Sequence, residues 1–138
     1  MPKVILANGC FDVLHYGHVL HLRAARKLGA KLIVSVTRDI HVNKGLGRPV
    51  FPEDERMDMV LELKCGSGVI LADNALDALQ KVKPHIFVKD AEYEGRIEPA
   101  HLQYCKENNI EIVFTREKRY SSTKLLDHYR LLVEGDAA

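Results

Sequence analysis

Residues 4–18 read Val4-Ile5-Leu6-Ala7-Asn8-Gly9-Cys10-Phe11-Asp12-Val13-Leu14-His15-Tyr16-Gly17-His18, and the fold follows from how this stretch changes character. Val4 to Ala7 is a short apolar run ending at Asn8-Gly9, the pattern of a buried strand. From Gly17 onward Val19, Leu20, Leu22, Ala25 and Leu28 recur at helical spacing, and Gly29 is a natural stop. A strand, a tight loop and a helix start are thus expected in immediate succession. In a parallel sheet such a loop lies at the carboxyl edge, where ligands collect. Gly9 permits close backbone approach, and the free N–H groups of a helix start favour an anion. His15 and His18, three residues apart on the first turn, reach what those amides hold. The stretch predicts a phosphate site with two imidazole donors.

The rest of the chain alternates in the same way. Residues 31–37 predict a second strand joined through Gly29-Ala30, and so compact a unit implies a right-handed parallel crossover. Residues 38–50 read as loop. Pro52-Glu53-Asp54-Glu55 opens a helix with Pro and acids in its first turn, and Met57, Val60, Leu61 and Leu63 form its apolar face. Residues 68–71 predict the third strand, and Asp73 or Asn74 caps a helix through Val82. The fourth strand is expected at 85–89, a helix from Glu98-Pro99 to the Asn108-Asn109 turn, and the fifth strand at 110–115. Ser121-Ser122-Thr123 caps a last helix to about Val133, leaving 134–138 as a frayed, flexible tail. Five strands interleaved with helices predict a doubly wound α/β sheet in a single domain over residues 1–138.

Composition excludes several function classes. Hydrophobic residues make up 46% and charged residues 28%, the balance of a soluble globular chain, and the net charge of +1 gives no bulk attraction to nucleic acid or membrane. No apolar run approaches the length of a membrane span. Met1-Pro2-Lys3 leads straight into a strand with no signal peptide in view. Cys10, Cys65 and Cys105 are too far apart for a metal or disulfide pattern, so a reducing cytoplasm is the expected setting. His21 extends the histidines to His-x-x-His-x-x-His, but i, i+3, i+6 drifts around a helix, and phosphate contact outweighs metal ligation. A dehydrogenase-like dinucleotide site is disfavoured because no Gly-x-Gly-x-x-Gly follows the first strand.

Gly9-Cys10-Phe11-Asp12 followed by His15-Tyr16-Gly17-His18 resembles the signature of the cytidylyltransferase-like nucleotidyltransferases, with their HxGH motif. The resemblance runs from Val4 to about Leu126. It implies a Rossmann-like five-stranded sheet of order 3-2-1-4-5. It also implies a reaction in which a nucleoside triphosphate meets a phosphorylated sugar or polyol and pyrophosphate is released. His15 and His18 would stabilise charge on the α-phosphate and the departing pyrophosphate, and the acceptor phosphate would attack directly. Gly9, Cys10, Phe11 and Gly17 would hold the nucleotide. Cys10 would act through its backbone N–H, and Asp12 would order the loop beside the substrate. Mg²⁺ is implied by triphosphate chemistry, carried mainly on the phosphates. A homodimer is a further expectation.

Three other segments carry the resemblance. Lys44-Gly45-Leu46-Gly47-Arg48-Pro49 is similar to the Lys-Gly-x-x-Arg-Pro loop of heptose-phosphate adenylyltransferases. Lys44 is then a phosphate clamp rather than a solvated lysine, and Arg48 a lesser candidate. Arg56, in Glu55-Arg56, is either a substrate contact or an intrahelical or capping residue. Val88-Lys89-Asp90-Ala91-Glu92-Tyr93 is similar to the family's Val-Lys-Gly-x-Asp-Tyr segment. Lys89 and Tyr93 would hold the base, Tyr93 by stacking, and Glu92 would lie beside the acceptor. Asp90 and Glu92 stand where those segments have glycine and aspartate. The run 116–124 resembles the Arg-Thr-Glu-Gly-Ile-Ser-Thr-Thr-Lys motif of glycerol-phosphate cytidylyltransferases. Arg116 would be catalytic there, with Ser121, Ser122 and Thr123 on the β and γ phosphates and Arg119 in place of glycine. ATP and CTP both remain open as the nucleotide. The alternatives are a glycerol-phosphate-type cytidylyltransferase and a nucleotide-binding module without turnover.

Overall fold

The computed structural model describes residues 2–117 and 121–137. Five strands, β1 (Val4–Gly9), β2 (Lys31–Thr37), β3 (Gly68–Ala72), β4 (Ile86–Asp90) and β5 (Glu111–Thr115), form one sheet of order β3-β2-β1-β4-β5. Every pairing is parallel, with Ala7 opposite Val34 on one side and Val88 on the other. The helices are α1 (Tyr16–Arg26), α2 (Glu53–Glu62), α3 (Ala75–Val82), α4 (Pro99–Glu107) and α5 (Ser122–Ala137). None of the described helices is long and apolar enough to cross a membrane. The expected α/β class and strand order are those observed.

The apolar strands explain the two layers. Ile5, Leu6 and Ala7 are all fully buried, as a central parallel strand covered on both faces must be. Ile5 and Ala7 point to a core with Leu22, Ala25, Val34, Val60 and Val88, under α1 and α2. Leu6 points the other way, to Ala78, Leu79, Phe87, Cys105 and Ile110 under α3 and α4. The reversal of strand order between β1 and β4 leaves a crevice at their carboxyl ends.

Several element ends differ from the sequence expectation for local reasons. The first helix ends at Arg26, so Gly29 is not its stop. A Cβ there would lie 2.5 Å from Ile5 Cδ1 and 2.8 Å from the Lys3 carbonyl oxygen, and close packing is what requires the glycine. Of the two candidate caps before α3, Asn74 is the one used: its side chain accepts the Asp77 N–H at 2.8 Å. Within the expected loop 38–50, Asp39–His41 forms a 3-10 turn. The last helix reaches Ala137 rather than about Val133.

Candidate active site

The crevice at the β1/β4 switch point is a cleft of about 380 Å³. Gly9, Cys10, Phe11, His15, Gly17 and His18 line it from the β1–α1 turn and Lys44 from the following loop. Lys89, Glu92 and Tyr93 line it beyond β4, and Ser121 and Thr123 at the start of α5. Phe11 is itself buried, its ring 3.0 Å from where a Cβ on Gly9 would sit and 5.4 Å, centroid to centroid, from His18. A side chain at position 9 would therefore collide with the ring that floors the turn.

His15 is the N-cap residue of α1 and His18 its third helical residue. The His15 backbone N–H donates to His18 Nδ1 at 3.2 Å, and the two rings stack with centroids 3.9 Å apart. Burial, together with the neighbouring His15, Lys44 and His21 charges, pushes the His18 pKa down to about 3. A neutral imidazole whose Nδ1 accepts must carry its proton on Nε2. His18 is thus a neutral N–H donor at physiological pH. Burial and Lys44 lower His15 in the same direction. The geometry joins one ammonium with two neutral donors, a set matched to phosphate oxygens.

The β4 side is built differently. Lys89 is half-buried, with its Nζ 4.0 Å from the Tyr93 ring centroid and 5.7 Å from that of Phe87. Burial lowers its pKa, against Glu92, Cys10, Glu98 and Asp90, which hold it up. The Asp90 carboxylate accepts the Glu92 N–H at 3.0 Å and caps the 3-10 turn Ala91–Tyr93. Asp90 has φ −69°, a backbone any residue adopts, so glycine is not demanded at this position.

A sequence profile described as cytidylyltransferase-like matches residues 6–131. The chain belongs to the cytidylyltransferase-like family. It is a nucleotidyltransferase, and a nucleoside triphosphate is the substrate the family implies. Among similar proteins, the bifunctional protein HldE of Campylobacter concisus is 40% identical over 98 residues, covering 68% of this chain and 21% of that protein. The chain thus spans about a fifth of the length of such HldE relatives. The FAD synthase of Aciduliprofundum boonei is 36% identical over 124 residues, covering 88% of this chain and 82% of that one. The lipopolysaccharide core biosynthesis protein of Thermoplasma volcanium superposes with a TM-score of 0.69 at 29% identity. That superposition covers 88% of this chain and all of the other.

Three residues weighed for the site of this cytidylyltransferase-like chain have their polar groups engaged by partners within the protein. Arg56 is fully buried. Its guanidinium donates to the Phe51 carbonyl at 2.9 Å, the Cys10 carbonyl at 2.7 Å and Asp39 at 2.5 Å. It is a pillar under the β1–α1 turn, with no surface left for substrate. Asp12 is likewise buried. It accepts the Val50 and Phe51 N–H groups and the Arg48 Nε–H, the loop-ordering arrangement expected of it. Burial pushes its carboxyl up, but the Val50, Arg48 and Phe51 bonds together hold it below the usual range. Arg116 is 67% exposed in its side chain, pairs with Glu94 and does not line the cleft.

Ser121 does cap α5, its Oγ accepting the Lys124 N–H at 3.2 Å, and Ser122 is the first helical residue. Arg119 lies outside the described residues. Asn8, His21, Thr37 and Asp90 line the cleft without having been expected there. Of these, His21 had a signal. The drift that argued against a metal carries its ring toward β5, where Nδ1 lies 2.7 Å from Thr115 Oγ1.

Proposed function

We propose that the cleft transfers a nucleoside monophosphate from ATP to a phosphorylated sugar, in the manner of a heptose-1-phosphate adenylyltransferase, with release of pyrophosphate. The stacked His15–His18 pair beside Lys44 carries this reading. An acceptor phosphate oxygen, already ionised, attacks the α-phosphorus in line. The bond from that phosphorus to the bridging oxygen breaks, and pyrophosphate leaves with the electron pair. The two imidazole N–H groups and the Lys44 ammonium offset the charge gathering on the α-phosphate and the leaving group. The backbone of Gly9, Cys10 and Gly17 cradles the same phosphates, and Ser121, Ser122 and Thr123 receive the β and γ groups at the start of α5. Tyr93, with Lys89, gives a base a ring face, and Glu92 faces the acceptor. Mg²⁺ enters on the triphosphate as part of the substrate. The one carboxylate in the β1–α1 turn, Asp12, is already committed to Arg48 and two backbone amides.

The HldE relatives favour a sugar phosphate and ATP over glycerol phosphate and CTP. A second reading, favoured by the FAD synthase relative that matches along most of both chains, makes flavin mononucleotide the acceptor. The three free cysteines support a reducing cytoplasm. The exposed apolar stripe Leu125, Tyr129, Leu132 and Val133 on α5 supports a homodimer. The test is a pyrophosphate-release screen of four nucleoside triphosphates with Mg²⁺ against heptose 1-phosphate, glycerol 3-phosphate and flavin mononucleotide. Release with ATP and heptose 1-phosphate is expected. Release with CTP and glycerol 3-phosphate alone would select the cytidylyltransferase alternative. Binding without release for any pair would make the chain a nucleotide-binding module.

A further inference from the structure

Lys44 sits on a segment with no packing of its own. Leu46 is 98% exposed, and a Cβ built at Gly45 or Gly47 would meet nothing within 4 Å. Yet Lys44 lines the cleft close enough for its charge to act on both His15 and His18. The Val50 and Phe51 N–H groups tie the far end of the segment to Asp12, and Arg48, four residues on from Lys44, supplies the side-chain anchor. Its Nε donates to Asp12 Oδ2 at 2.6 Å, in a pair whose side chains are 4% and 0% exposed. The same guanidinium donates to the Asp12 carbonyl at 3.4 Å and to Thr123 Oγ1 at 3.2 Å. One planar fork thus joins the β1–α1 turn, the Lys44 segment and the first turn of α5, the three pieces of chain that surround the proposed phosphate position. An ammonium at position 48 has no fork with which to hold all three.

We propose that Arg48 is a positioning residue that acts through Lys44: it straps the 43–51 segment across the β1–α1 turn and the start of α5, and so holds the Lys44 ammonium over the imidazole pair. The proposal rests on the phosphate-binding reading of the cleft. Its first test does not. Trypsin cuts after Lys44, whereas the bond from residue 48 to Pro49 resists it whether arginine or lysine stands there. Arg48→Lys keeps the charge on Asp12 and preserves the fold, checked by circular dichroism, but releases the strap. Cleavage at Lys44 is expected to run about tenfold faster than in the parent.

The second test is a cycle of MgATP and MgCTP affinities by calorimetry. Arg48→Lys weakens binding about tenfold in the parent and leaves it unchanged in the Lys44→Ala background, because the effect passes through Lys44. A purely structural role would give the same loss in both backgrounds. An unchanged tryptic rate, or equal loss with and without Lys44, overturns the proposal. If neither nucleotide binds the parent protein, the reading of the cleft falls while the tryptic rate still decides the strap.

Discussion

Arg56 separates a substrate contact from a pillar, and Arg56→Met tests which it is. Methionine fills much of the stem volume, so the loss is chiefly of hydrogen bonds rather than of packing. The Cys10 and Phe51 carbonyls would lose a charged donor at 2.7 and 2.9 Å, each costing about 1–3 kcal/mol when left unmet. Asp39 would lose its 2.5 Å partner, but its side chain is 39% exposed, so water recovers part of that loss. The expected destabilisation is about 3–5 kcal/mol. With an unfolding entropy of about 0.3 kcal/mol/K for a chain of this length, the midpoint should fall by roughly 10–17 °C. Thermal and urea unfolding followed by circular dichroism measure this, alongside MgATP titration of the folded protein at low temperature. A stability change under about 1 kcal/mol combined with loss of nucleotide binding would refute the reasoning and return the guanidinium to the cleft.

His18→Ala should lower kcat for pyrophosphate release by ~10²–10³, the cost of one lost donor to the developing charge, while the circular dichroism spectrum stays native; full turnover would contradict the site assignment. The His18 pKa is about 3 in the fold against 6.5 unfolded. Between those values the unfolded chain binds a proton that the native ring refuses, so this contribution to stability is present above 6.5 and is lost as pH falls. From pH 7.5 to 5.0 the loss from this ring is about 2 kcal/mol. His18→Gln should lose correspondingly less over that interval in urea unfolding, and parallel pH profiles would refute the burial argument. Gly29→Ala places a methyl 2.5 Å from Ile5 Cδ1 and should destabilise by about 1–3 kcal/mol; a neutral substitution would show that the α1–β2 turn yields without cost.

What could be read from the sequence was what is local. The apolar runs of β1, β2 and β4 and the helical spacing after Gly17 follow from short-range patterning. The His15-x-x-His18 pair lies within one turn, so its joint approach to the cleft needed no tertiary knowledge. The arginines were illegible for the opposite reason. Arg56 meets Cys10 across 46 residues and Arg48 meets Asp12 across 36, so their partners depend on how residues 43–51 fold back. A motif match gives such residues a position but no partner. Arg116 shows the same limit, since its pairing with Glu94 joins the segment after β5 to the segment after β4. Gly29 lies beyond the end of α1 and is required by packing rather than as a helix stop, because close approach and a helix stop favour the same residue in a sequence.

In the proposed function two neutral imidazoles at the β1–α1 turn hold the phosphates of a nucleotide. A crystal structure with a non-hydrolysable ATP analogue and Mg²⁺ tests this most directly. Phosphate oxygens are expected within hydrogen-bond distance of His15 and His18, with Lys44 closing over them. A triphosphate bound away from the β1–α1 turn, with both rings turned from it, would overturn the assignment of His15 and His18.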